Sequence, residues 1–99
     1  MPQGPFQTTV LTSAQKSALN LSAATLVKPT NGFAVKVSVT VAGSAAGAIY
    51  DSASIAGAGT ANLIAVIPDV AGTYSIEFPF ANGLVVSPGT GQTVSISYN

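Results

Sequence analysis

The chain has 99 residues, of which 47% are apolar and only 6% are charged, and three basic side chains balance three acidic ones. This length suffices for one domain with one core, and the lack of Cys and His excludes disulfides, thiolate metal sites and histidine chemistry. An average domain is about 25% charged, so we expect a surface of small polar and apolar groups that other protein covers. The chain also lacks the cluster of basic side chains that is typical of a nucleic-acid binder.

The first ten residues, MPQGPFQTTV, predict an extended arm, because Pro2 and Pro5 lack the donor that a helix or a central strand needs. The arm is either a frayed terminus or a tail that lies on a neighbouring subunit with Phe6 as its anchor. It shows no basic segment followed by an apolar one, as a secretory signal would. No run of 18 strongly apolar residues follows, so we expect no membrane span.

A short helical turn is predicted next, over Ser13 to Leu19. Thr12 and Gln15 fit a capping box, and SAQKSAL is rich in helix formers, although a strand or loop is nearly as well supported. The sequence is therefore divided into an arm with a short helix, residues 1–20, and a single β-sandwich domain, residues 21–99.

The stretch FAVKVSVTV predicts a half-buried strand, since apolar residues from Phe33 to Val41 alternate with Ala34, Lys36, Ser38 and Thr40. Before it, ATLVKPT supplies another strand. The Asn31-Gly32 pair between them is typical of a type I′ hairpin turn.

Further strands are predicted at GAIYD, ANLIAVI, TYSIEFPF and QTVSISY, separated by turns at Asn82-Gly83 and Ser87–Thr90 and by small-residue loops at 42–48 and 52–61. Many short strands with Gly and Pro turns indicate an all-β fold. We expect an antiparallel β-sandwich or small barrel, jelly-roll or Greek-key-like, of six to eight strands. Alternation places four aromatic side chains in the core, namely Tyr74, Phe78, Phe80 and Tyr98.

Catalytic chemistry is poorly supported. Asp51, Asp69 and Glu77 each occupy a separate predicted hairpin, and Asp51 and Asp69 suit bonding to turn amides. The chain has no His to activate a Ser or Thr nucleophile. The glycine-rich GAGTAN and GTGQT complete no phosphate-loop motif. We expect no enzyme activity, cofactor, metal or small-molecule substrate.

Three stretches carry a resemblance to a known group: VKPTNGFAVKV, VTVAGSAAGAIYDSASIAGAGTANLIAVIP and AGTYSIEFPFANGLVVSPGTGQTVSISYN. Residues 28–99 resemble small proteins encoded by tailed bacteriophages, which share V-A-G-S-A-A-G, a following I-P, an aromatic-Pro step and G-L-V-V-x-P-G-T-G-Q. Phe78 stands where that group often carries Trp, and Phe80 where it often carries Cys, which could alter local packing.

The resemblance implies a virion structural role as a capsid decoration (cement) protein on the outer shell, made in the host cytoplasm. The implied partners are the major capsid protein and two further copies in a homotrimer, without nucleic acid or membrane. A tail, fibre or head-fibre module that binds a host receptor is one alternative, and a free carbohydrate-binding or carbohydrate-active domain is another. The expected contact residues are Pro5, Phe6, Thr8 and Val10 in the arm, Ala45, Ala46 and Gly47 in the first loop, and Ile55, Ala56 and Gly57 in the second.

Overall fold

A computed structural model describes residues 15–99, in which eight strands and one turn of 3₁₀ helix are found. Gly, Pro or Asn lies in all but one of the connections between the strands, as is typical of turns. The strands are β1 (Lys16–Leu21), β2 (Thr25–Lys28), β3 (Gly32–Val41), β4 (Gly47–Asp51), β5 (Leu63–Ile67), β6 (Gly72–Phe80), β7 (Leu84–Ser87) and β8 (Thr93–Tyr98), with the 3₁₀ turn at Thr60–Asn62.

The strands form two antiparallel sheets of four. Sheet A has the order β1-β8-β3-β6 and sheet B the order β2-β7-β4-β5. Consecutive strands change sheets at every connection except β4–β5, which gives the strand order of a jelly roll. The predicted all-β antiparallel sandwich is confirmed.

The core lies between the sheets and draws its side chains from both. Residues that alternate inward along β3 and β8 meet inward residues of β4 and β7, as a packed sandwich requires. The buried members are Ala34, Val37, Val39, Ile49, Ile67, Phe80, Leu84, Val86, Val94 and Ile96.

The predicted helical turn is wrong where it can be compared. Residues from Lys16 onward form β1, whose Lys16 and Ala18 pair with Tyr98 and Ile96 of β8. Pairing with a sheet overrides the weak helical preference of SAQKSAL, because an isolated helix of this length is unstable. The sandwich therefore includes residues 16–20, which the sequence had assigned to the arm.

The connection at 29–31 is not the predicted type I′ hairpin turn, because neither Asn31 nor Gly32 has a positive φ. The strands that it joins, β2 and β3, belong to different sheets. A two-residue hairpin signal identifies a chain reversal, and the reversal here carries the chain across the sandwich.

Bulges alter the predicted alternation along β3 and β6. Ala34 and Lys36 oppose the adjacent residues Tyr98 and Ser97 of β8, so Val35 is an extra residue and the inward phase changes there. Ala34 is consequently fully buried. β6 has a similar irregularity near Glu77, whose φ is 50°.

Phe78 is not in the core, contrary to the prediction. It pairs with the buried Ala34, but β6 is the edge of sheet A and the Phe78 side chain is 51% exposed. Among the other three aromatics, Phe80 is buried and Tyr74 and Tyr98 pack against the core.

Candidate interaction surface

The connections cluster at the two ends of the sandwich. The Gln92 end comprises residues 42–46, 68–71 and 88–92, and the Asp51 end comprises residues 29–31, 52–62 and 81–83. The two candidate loops lie at different ends, because β4 runs from one to the other. Its five residues extend about 16 Å, so the structure does not bring the two loops together.

The first loop is held against the β7–β8 connection at the Gln92 end. The Ser44 amide donates to the Thr90 carbonyl at 2.9 Å, and Gly89 lies against the Ala45 carbonyl so closely that a side chain at position 89 would not fit. Ala45 and Ala46 are exposed, whereas Gly47 is buried beside the Gln92 side chain. Gly47 therefore offers packing space within the fold and no exposed surface.

Gln92 ties this end together. Its side chain is 1% exposed, its Oε1 accepts from the Gly89 amide at 3.0 Å, and its Nε2 donates to the Pro68 carbonyl at 2.8 Å. One buried amide thus connects the β5–β6 and β7–β8 connections. No sequence pattern signalled this role, since a Gln in GTGQT is typical of a solvated turn.

The second loop is closed by its own side chains at the Asp51 end. Ser52 Oγ donates to the Ser54 carbonyl at 2.7 Å, and the Asn62 side chain accepts from the Gly59 amide at 2.8 Å and donates to the Gly57 carbonyl at 3.0 Å. These bonds hold Ile55, Ala56 and Gly57 outward, with Ile55 48% exposed.

Asp51 fastens the β6–β7 connection to the end of β4. Its carboxylate accepts backbone N–H bonds from Ala81 at 2.9 Å, Asn82 at 2.8 Å and Gly83 at 3.3 Å. Partial burial opposes ionisation, but these bonds outweigh it and hold the pKa of Asp51 below its usual value. The prediction that Asp51 bonds turn amides is confirmed, and all three bonds are structural.

The outer face of sheet A carries hydroxyl groups. Register places Ser17, Ser97, Lys36 and Ser75 in one row across its four strands. A second row contains Ser95, Ser38 and Thr73, and a shallow depression of about 240 Å³ lies among these residues beside Leu19. Several hydroxyls bond to the sheet itself, as where the Lys36 amide donates to Ser97 Oγ at 3.1 Å.

The outer face of sheet B is apolar. Ile49 and Val86 point into the core, so their neighbours along β4 and β7 point outward. One outward row contains Leu26, Val85, Tyr50 and Leu63, and the other contains Ser87, Ala48 and Val66. Leu63 is 40% and Val66 59% exposed. The sequence analysis missed this surface because the strands of sheet B are too short to reveal which side faces the core.

The arm residues Pro5, Phe6, Thr8 and Val10 lie outside the described residues. Within residues 15–99, no three metal-ligating side chains come together, and no helix is long and apolar enough to cross a membrane. Comparison with protein-family models, with curated proteins and with solved structures found no match to this chain.

Proposed function

We propose that this chain is a non-enzymatic structural protein of a tailed-bacteriophage virion, a decoration protein that binds the outer capsid surface and stabilises the shell. The observation that carries the proposal is the exposed apolar surface of a nearly uncharged jelly roll, with Leu63, Val66 and Ile55 all open to solvent. Such surface is typical of protein contacts. The resemblance of residues 28–99 to small phage proteins supports the same role.

The Asp51 end is our choice for the shell-facing end. Ile55 and Ala56 are exposed there, and β1 starts there too, because Lys16 pairs with Tyr98 and the following Asn99 bonds with Phe33 next to the β2–β3 turn. The first strand therefore begins at the same end of the sandwich as the second loop. Ala45 and Ala46 lie at the other end and face away from the shell in this orientation.

A homotrimer suits this role. Shells present equivalent sites around symmetry axes, and closed rotational symmetry satisfies every protomer's contacts. Several modest contacts in one oligomer bind with high avidity, because each further site engages at high effective concentration. The partners are then the major capsid protein and two further copies, and the location is the capsid surface.

Co-sedimentation with shells of the encoding phage, stripped of decoration, tests the proposal. We expect saturable binding at micromolar concentration. Ile55→Glu should weaken it by about tenfold or more, because a charge is desolvated at the contact, whereas the matched Ala45→Glu should bind as wild type. The absence of binding to shells would contradict the proposed function, and equal effects of the two variants would contradict the proposed orientation.

One observation favours a second candidate, a host-receptor module that binds a glycan. The depression on sheet A combines hydroxyls with Lys36, and polar groups of this kind fix sugar orientation. It lacks an aromatic platform, since the large apolar residues in its lining are Leu19 and Ile96. A glycan array separates the candidates: sugar binding that Lys36→Ala and Ser38→Ala abolish would favour the receptor module.

A further inference from the structure

The outer face of sheet B has the composition of a buried surface. Its central strand β7 is buried on both sides, and Val85, although outside the core cluster, is 1% exposed between its register neighbours Leu26 and Tyr50. Toward the β5 edge the face opens at Leu63 and Val66. Every outward position is uncharged, so a partner can cover the face without desolvating an ion.

The size of this face limits what can cover it. Four strands at about 4.8 Å spacing and some five residues in length give about 300 Å². A stable complex of two rigid proteins buries about 800 Å² on each partner. Two flat copies of this face are therefore too small to hold a dimer, and a flexible segment that lies across the face is a better match.

The chain supplies such a segment at its N-terminus. Residues 1–14 contain no charged side chain, and Phe6, Thr8 and Val10 would share one side of an extended chain. Fourteen extended residues reach about 46 Å, which is more than twice the width of about 19 Å that four strands span.

We propose that the segment Pro5–Val10 of one copy lies across the outer face of sheet B of a neighbouring copy, with Phe6 and Val10 on the row Leu26–Val85–Tyr50–Leu63. A neighbour is the chosen partner because residues 7–15 contain no Gly or Pro to reverse the chain. To reach its own sheet B, the segment would have to turn around the β1 and β2 edges of the sandwich. If each copy makes this contact with the next one, the copies form a closed ring.

This inference rests on the proposed function only for self-association, so it is tested on the isolated protein without shells. The chain has no Cys, which allows single-cysteine variants. Thr8→Cys is mixed with Ser87→Cys, on the outer face of sheet B, and treated with a short bismaleimide. The matched control replaces Ser87→Cys by Ser97→Cys, a half-buried serine on the outer face of sheet A.

We expect the Thr8–Ser87 pair to form linked dimers about tenfold or more above the Thr8–Ser97 pair, and Phe6→Ser in the Thr8→Cys chain to remove the difference. Equal linkage at the two serines, no linkage, or linkage that Phe6→Ser leaves unchanged would overturn the proposal. A chain that carries both Thr8→Cys and Ser87→Cys gives a further test. Linkage within this chain, without linkage in the mixture of single variants, would also overturn the proposal, because the segment would then cover its own sheet. Failure of this experiment would leave the proposed shell binding standing, because co-sedimentation measures shell binding separately.

Discussion

The two outer faces of the sandwich differ although the sheets share one core. The outer rows of sheet A contain Ser, Thr and Lys36, beside the exposed Leu19 of β1, whereas those of sheet B contain Leu63, Tyr50 and Val66. Exposed hydroxyl groups form hydrogen bonds with water and with the backbone. Exposed apolar side chains, in contrast, are stabilised when another surface covers them. This difference underlies our proposal that the two sheets have different neighbours, and five measurements test it.

The largest effect should come from the inner side of sheet B. Ile49→Ala removes a fully buried side chain and leaves a cavity, so we expect the free energy of unfolding to fall by about 2–5 kcal/mol. Leu63→Ala, on the outer side of the neighbouring strand, should cost less than about 1 kcal/mol in the monomer. Urea unfolding of both variants measures this, and equal losses would show that the outer face is part of the folding core.

Gln92→Ala should follow, with a loss of about 2–3 kcal/mol. The substitution deprives the Gly89 amide and the Pro68 carbonyl of their partner in a buried site. Gln92→Glu sharpens the measurement, because a carboxylate can still accept from Gly89 but cannot donate to Pro68. If either variant has the same thermal unfolding midpoint as wild type, the connections hold the sheets together without this amide.

Asp51→Ala should cost about 1–2 kcal/mol near neutral pH, because three N–H groups lose a charged acceptor. The folded pKa lies below the unfolded one, so this stabilisation is complete above the unfolded value, about 3.9, and is lost as the pH falls through the folded pKa. Unfolding curves of wild type and variant should therefore converge in strong acid. A difference that stays constant with pH would refute the role of the charge.

Ser97→Ala on sheet A should have the smallest effect, less than about 1 kcal/mol. The Ser97 hydroxyl accepts from the Lys36 amide at the bulge, but the site is open to water, which can replace it. Hydrogen exchange of the Lys36 amide should quicken while the amides of β7 keep their rates. A loss comparable with that of Ile49→Ala would mean that the hydroxyl face contributes to the core.

Much of the fold could be predicted from local patterns. Period-two stretches identified β3, β6 and β8, and Gly and Pro located the turns. The pairing of strands could not be predicted, because Asn31-Gly32 specifies a reversal without saying whether the next strand stays in the same sheet. The bulge at Val35 was also hidden, since Phe33, Val35 and Val37 look continuous and the change of phase depends on β8.

The candidate surface was less accessible to sequence analysis. The sequence analysis predicted both 45–47 and 55–57 as contact residues. Their position at opposite ends of the sandwich, and the burial of Gly47, follow from the path of β4. The apolar run ANLIAVI predicted a strand without indicating which of its side chains face the core. In the structure Ile67 is buried and Val66 is 59% exposed, so the outward apolar side chains of this strand are available for a partner.

The central claim is that sheet B, and not sheet A, carries the contact between copies. Leu63→Lys and Ser75→Lys place the same charge on outward positions of two edge strands, β5 and β6. Light scattering coupled to gel filtration should find Ser75→Lys at the wild-type oligomer mass and Leu63→Lys at the mass of a monomer. A monomeric wild type, or two variants with the same mass, would contradict the account.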